Sequence, residues 1–250
     1  MRFWTLNKKY SLILAVLITI LIANTTFLFK SVDNSESVIV ARAIDGDTLQ
    51  LEDGRIVRLL NVNSPEKSTP LYVKSKDFLS ELEGKEVSIK SSGLDKYRRT
   101  LAKVYYQNNY TNLQLVQLGL ASKFLVSSSE LKEFESAEYQ AVKNEQGIWK
   151  HSQYYGCISA DINENKEIAS ISSNCGKINL VNWVIKDESR KLYKFNIILI
   201  NRINLHSNDG QDNETDIFWN AKTDVWNNDR DTLYLFDEDN NIVLVHSYGY

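Results

Sequence analysis

The sequence predicts a mainly β chain with about three helices: a five-stranded Greek-key barrel over residues 38–150, then a β-sandwich over residues 177–250. Three observations predict it. Between Val38 and Leu60 apolar residues alternate imperfectly with polar ones, and Asp45-Gly46 and Asp53-Gly54 punctuate the run, which reads as three short antiparallel strands. Helical spacing of apolar residues recurs between residues 70 and 149. Beyond Gly176, short β-prone runs alternate with loops rich in Asn and Asp.

Taken in order, the chain begins with a run of 20 residues, Tyr10 to Phe29, that carries no charge and follows Arg2, Lys8 and Lys9. That length suits a membrane span, and the basic flank puts the remainder outside the cytoplasm. Residues 1–30 therefore read as a signal anchor or as a cleaved signal peptide, and the expected location is the outer face of the cell membrane or the medium. Lys30 to Glu36 is a polar spacer. After the three strands, Pro70 opens a helix with Val73, Phe78, Leu79 and Leu82 on its apolar face, and Gly84 closes it. Glu86–Lys90 and Leu101–Tyr106 read as strands flanking a charged loop, Leu94–Arg99. Five strands with a helix between the third and fourth match the oligonucleotide-binding (OB) barrel. Asn112–Leu120 is a short helix. Ser128 or Ser129 caps a longer one bearing Leu131, Phe134, Ala137, Ala141 and Val142. Gly147-Ile148-Trp149 ends it, with Trp149 as a core residue.

Residues 151–176, rich in Ser, Asn and Glu, read as a linker or a stapled loop. They hold the two cysteines, Cys157 and Cys175, outside any close metal-ligand spacing. In an oxidising compartment these two would pair; two free buried thiols are the alternative. Further strands are expected at residues 177–185, 191–195, 197–203, 217–219, 232–236 and 242–247. Composition supplies ample core, with 43% hydrophobic and 11% aromatic residues. The formal net charge of −3 leaves no basic excess to hold nucleic acid by bulk attraction, and the last hundred residues are the acidic part. Any hold on nucleic acid must come from a local cation and a few arginines.

The stretch Val38 to Glu66 gathers Asp45, Asp47, Arg58 and Glu66 at strand ends, which suggests an oxygen-ligand metal site beside a phosphate clamp. I-D-G-D-T at Ile44–Thr48, R-L-L-x-V-x-x-P-E at Arg58–Glu66 and D-K-Y-x-R at Asp95–Arg99 appear in that order, followed by G-L-A and a helix closing on G-I-W. This series resembles the thermonuclease (staphylococcal-nuclease-like) family from about Val38 to Trp149. The resemblance implies calcium-dependent hydrolysis of DNA and RNA to products ending in 3′-phosphate. It implies that Asp47, Asn63 and Ser64 hold Ca2+, with Asp45 and Thr48 supporting them. Arg58 and Arg99 would grip the scissile phosphate, Glu66 would orient or deprotonate the attacking water, and Lys96 and Tyr97 would lie near the nucleotide's terminal phosphate. Two positions depart from the family pattern. Asn63 stands where an aspartate is usual, so calcium should bind more weakly, and Arg98 stands where glycine is frequent.

The second half has a resemblance of its own. N-W-V-I at Asn182–Ile185, V-W-N-N-D-R-D-T-L-Y-L-F-D at Val225–Asp237 and N-I-V-L-V-H-S-Y ending at Tyr248 are similar to the lamin-tail domain. That implies an immunoglobulin-like sandwich with Trp183 and Trp226 in its core; the partner of such a domain is unknown. The competing functional readings are a barrel that has lost its chemistry and only binds nucleic acid or protein, and an adhesion or scaffold role led by the C-terminal half.

Overall fold

The computed structural model describes residues 35–67, 69, 71–199 and 201–250. The N-terminal apolar run and Pro70 lie outside the described residues. Among those that are described, no helix is long and apolar enough to cross a membrane.

The first strand, β1 (Ser35–Asp45), turns at Gly46 into β2 (Thr48–Leu51), which turns at Gly54 into β3 (Ile56–Leu59). Gly54 has a φ of 89°, the left-handed region glycine enters without cost. Val38, Val40, Leu49, Leu51, Val57 and Leu59 all point inward. A two-residue strand β4 (Val62–Asn63) and helix α1 (Tyr72–Ser80) lead to β5 (Glu86–Leu94) and β6 (Thr100–Tyr106). The order β3-β2-β1-β5-β6 closes on itself because β3 also pairs in parallel with β6, Arg58 opposite Leu101, giving a five-stranded barrel. Asn112 sits against this seam, its Nδ2 donating to Leu60 O (2.8 Å) and Ala102 O (3.1 Å).

The rest of the first half covers the barrel. Strand β7 (Asn109–Tyr110) adds to β6, and helix α2 (Thr111–Gln117) follows. Strand β8 (Ser122–Lys123) pairs with β4, and helix α3 (Leu131–Lys143) is followed by a 3-10 turn, Gly147–Trp149. The expected serine cap is not what starts α3. Glu130 occupies that position, and its carboxylate is engaged by Asn61, Ser127 and Lys103.

The stretch expected as a linker is largely strand. β9 (Ile158–Asn163) and β10 (Ile168–Ser173) form an antiparallel hairpin, and Cys157 is disulfide-bonded to Cys175 across its open end. Its outer face is polar because β9 edges a sheet, which is why its composition suggests a loop. This sheet runs β16-β15-β10-β9, with β15 (Arg202–His206) and β16 (Asp216–Phe218). A second four-stranded sheet runs β13-β12-β17-β18, from β12 (Val184–Lys186), β13 (Leu192–Lys194), β17 (Asp231–Phe236) and β18 (Ile242–Tyr248). Two short strands, β11 (Ile178–Asn179) and β14 (Ile198–Leu199), pair with each other. The sheets share one core: Ala169, Ile171 and Leu205 of one face Ile185, Leu233 and Leu235 of the other, with Trp183 and Trp226 buried among them.

The halves are not strung apart. Residues 36–250 form one compact unit. Trp149, Ala141 and Val142 of the first half bury against Tyr234 and Ile242 of the second, the Trp149 and Tyr234 rings 5.5 Å apart. Trp149 thus fills the seam between the halves. Main-chain bonds continue across it, Ser152 N to Ile242 O and Ile242 N to Lys150 O.

Candidate active site

At the β1–β2 turn the backbone runs tightly under the β4–α1 segment. A Cβ on Gly46 would sit 2.6 Å from Ser75 Cβ and 2.8 Å from Ser64 Cβ, so only glycine lets the two aspartates flank Ser64. Asp45 Oδ1 accepts the Asp47 N–H at 3.1 Å. Asp47 is buried, and its carboxylate accepts from Thr48 Oγ1 (3.0 Å), Ser64 N (3.0 Å) and Arg58 Nη2 (3.1 Å). Burial pushes the Asp47 pKa up, but Arg58, the Ser64 N–H and Arg190 together bring it below the ordinary carboxylate value. Asp45 moves the other way, raised by burial and by the neighbouring Asp47.

Arg58 projects from β3 into the same place. Besides Asp47 it donates to Leu59 O, to Val62 O (2.7 Å) and to Asn63 Oδ1 (2.6 Å). Burial lowers its pKa, and the charges of Arg190 and Arg99 act in the same direction, against Asp47. Arg99 comes beside Arg58 because the next two residues, Thr100 and Leu101, pair with Val57 and Arg58 across the barrel seam. Its own guanidinium is held by Asp95, Nε to Oδ2 at 2.7 Å, in a turn where Asp95 Oδ1 also accepts the N–H groups of Tyr97 and Arg99. Arg98 has a φ of 66° in this turn, a left-handed conformation that glycine would adopt without strain. Lys96 and Arg99 both lie over the exposed Tyr97 ring.

The structure brings Asp45, Asp47, Thr48, Arg58, Asn63, Ser64 and Glu66 together; Arg99 is held by Asp95 in the exposed turn that also carries Lys96 and Tyr97. A cleft of about 260 Å³ is lined by Asp45, Asp47, Ser64, Pro65, Glu66, Lys67, Tyr72 and Arg190. Asn63 turns away from it: its amide oxygen receives Arg58, and its Nδ2 donates to Glu188 O at 2.7 Å.

One residue in the cleft was not foreseen. Arg190 comes from the β12–β13 turn of the second half, and its guanidinium bridges Glu66 Oε1, Asp47 Oδ2 (3.3 Å) and Ser64 O (2.7 Å). Nothing near Arg190 in sequence marks it, because only the docking of one half on the other carries it there. Among the described residues no group of three or more His, Cys, Asp or Glu side chains is arranged to hold a metal. The Asp47 carboxylate and the Ser64 carbonyl nevertheless converge on one point, and a cationic nitrogen stands there. Carboxylate and carbonyl oxygens are the donors calcium takes, so the set fits a hard cation.

The sequence profile described as staphylococcal nuclease homologue matches residues 56–151, which include Arg58, Asn63, Glu66 and Arg99 but not Asp45 or Asp47. An uncharacterized endonuclease of Haemophilus influenzae is 35% identical over 142 residues, covering 54% of this chain and 78% of the relative. The thermonuclease of Staphylococcus intermedius is 34% identical over 159 residues, covering 56% and 95%. The thermonuclease of Staphylococcus hyicus is 33% identical over 132 residues, covering 47% and 78%.

Proposed function

The chain belongs to the staphylococcal nuclease homologue family, and we propose that it is an exported or membrane-tethered, calcium-dependent nuclease cleaving DNA or RNA to products ending in 3′-phosphate. The observation that supports this most is that Asp47 and Glu66 line one cleft while Arg58 pairs with Asp47 behind it, on a strand whose neighbour β6 follows directly on Arg99.

Hydrolysis needs the phosphoryl oxygens stabilised, a water aligned and a proton accepted. Arg58 and Arg99 would bind two phosphoryl oxygens, Arg58 exchanging a carbonyl contact for the anion. Glu66, with its side chain 60% exposed at the cleft mouth, would align the water and take its proton. Asp47 and the Ser64 carbonyl would hold calcium, and Asn63 would join them only by giving up Arg58. When bound, the ion would supply positive charge beside the phosphate. The Cys157–Cys175 disulfide supports an oxidising destination, and the N-terminal apolar run supports either a tether or a cleaved leader. For residues 177–250 we infer a lamin-tail-like, immunoglobulin-type sandwich, supported by the buried Trp183 and Trp226 of its motifs.

The test is digestion of plasmid DNA and of RNA by the full-length chain, with calcium or with a chelator. Cleavage should require calcium, and Glu66→Ser or Arg99→Ala should each lower turnover by about 10²–10³-fold while the circular dichroism spectrum is kept. Full activity in either variant, or undiminished cleavage in chelator, refutes the reading.

A further inference from the structure

We propose that Arg190 is an internal cation that occupies the metal seat of the nuclease and must be displaced by the divalent ion, so that the second half of the chain sets the cation requirement of the reaction. This rests on the calcium-dependent reading above.

The β12–β13 turn that carries Arg190 is anchored on every side. The Asp187 carboxylate accepts Lys191 N (2.7 Å) and Ser189 Oγ (2.6 Å). Glu188 is buried, its N–H donating to Asp231 Oδ1 (3.2 Å) and its carbonyl accepting from Asn63 of the barrel (2.7 Å). The base of the Arg190 side chain is therefore fixed relative to the site, and delivery of its guanidinium is built into the docked arrangement.

The tip is placed otherwise. It takes Asp47 Oδ2 and Ser64 O, the two oxygens that a hard cation would use, and it ties up Glu66, the carboxylate required for the water. Charge makes the two occupants exclusive. Asp45, Asp47 and Glu66 meet Arg58, Lys67 and Arg190, a balanced set as it stands. Adding a divalent ion on the same oxygens would put it within a few ångströms of the guanidinium, where repulsion between charges is large at the reduced permittivity of a cleft. Release is open to the guanidinium: the Arg190 side chain is 35% exposed and the cleft faces solvent. Asn63 adds no charge to the seat, since its amide is taken by Arg58 and by Glu188 O. Ion binding then frees Glu66 as it displaces Arg190, coupling the metal to the catalytic carboxylate.

The experiment measures calcium binding to the full-length chain without substrate, by calorimetry and by sensitised terbium luminescence. A seat open roughly a tenth of the time costs about tenfold in apparent affinity, so Arg190→Ala and Arg190→Gln should bind about tenfold more tightly than wild type. Arg190→Lys, which keeps the charge, should fall between. Free guanidinium ion below denaturing concentration should weaken binding to Arg190→Ala and leave wild type nearly unchanged. Equal or weaker binding in both neutral variants overturns the proposal while leaving calcium dependence intact. Absence of binding in every variant overturns both.

Discussion

Two cations cross between the halves in opposite directions, and they are held in contrasting ways. Lys123 leaves the barrel at β8 and enters the second half. Its ammonium donates to Glu138 (2.6 Å), Thr232 Oγ1 (2.7 Å) and Ser247 Oγ (3.1 Å), lies 4.4 Å from the Tyr250 ring centre, and is 1% exposed. Glu138 also receives Lys123 N and Tyr234 Oη, and Glu188 is bonded by Thr232 and Tyr250. Every donor of that ammonium has a partner, and water does not reach it. Arg190 makes the return crossing into a cleft that water does reach. A buried ion with its donors filled fixes a geometry, whereas an ion at a solvent-open seat can be exchanged for another. The first contact is what allows the second to be used as a switchable one.

The comparison is broken most severely at Lys123. Lys123→Met leaves Glu138 buried and uncompensated and should cost about 3–5 kcal/mol, whereas Arg190→Ala, losing a partly exposed pair, should cost under about 1 kcal/mol. Urea unfolding of both variants reads the contrast, and similar losses would mean that the two contacts are alike.

A second test uses pH at the foot of the turn that carries Arg190. Burial pushes Asp231 up to about 6, although three backbone N–H groups donate to it. A carboxyl raised in the folded state contributes stability that is complete below its unfolded value near 4 and is lost as pH rises through 6. The stability difference between wild type and Asp231→Asn should therefore move in favour of the variant between pH 4 and pH 7, by up to about 3 kcal/mol. A difference that stays constant with pH contradicts this.

The smallest effect belongs to a turn that touches neither crossing. Arg98→Gly relieves a left-handed residue and should stabilise the fold by about 1 kcal/mol, visible as a raised melting temperature. No gain would show that the Arg98 side chain has contacts that repay its conformation.

What could be read in the sequence followed the range of the interactions. Asp45, Asp47, Arg58, Glu66 and Arg99 sit in short motifs whose turns and strands position them locally, so their spacing was informative. The β-strands of the first half, with apolar residues on one face, were legible for the same reason. The hairpin of β9 and β10 was not, because an edge strand carrying Ser159, Asp161 and Asn163 outward has the composition of a loop. Lys123, Glu138 and Glu188 carry no local signal, because the network they share with Thr232, Tyr234, Ser247 and Tyr250 forms only where the two halves meet. Arg190 was hidden in the same way: its role depends on where a rigid turn lands, and no local pattern encodes that.

The parallel pairing of β3 with β6 has one more consequence. Arg58 lies on β3 and Arg99 immediately precedes β6, strands that become neighbours only when the barrel shuts, so under the proposed function neither segment alone would grasp a phosphate diester. On the proposed reading, a chain not yet folded, or one clipped and opened between those strands, would be harmless to the nucleic acids around it. Destructive capacity appears only with closure.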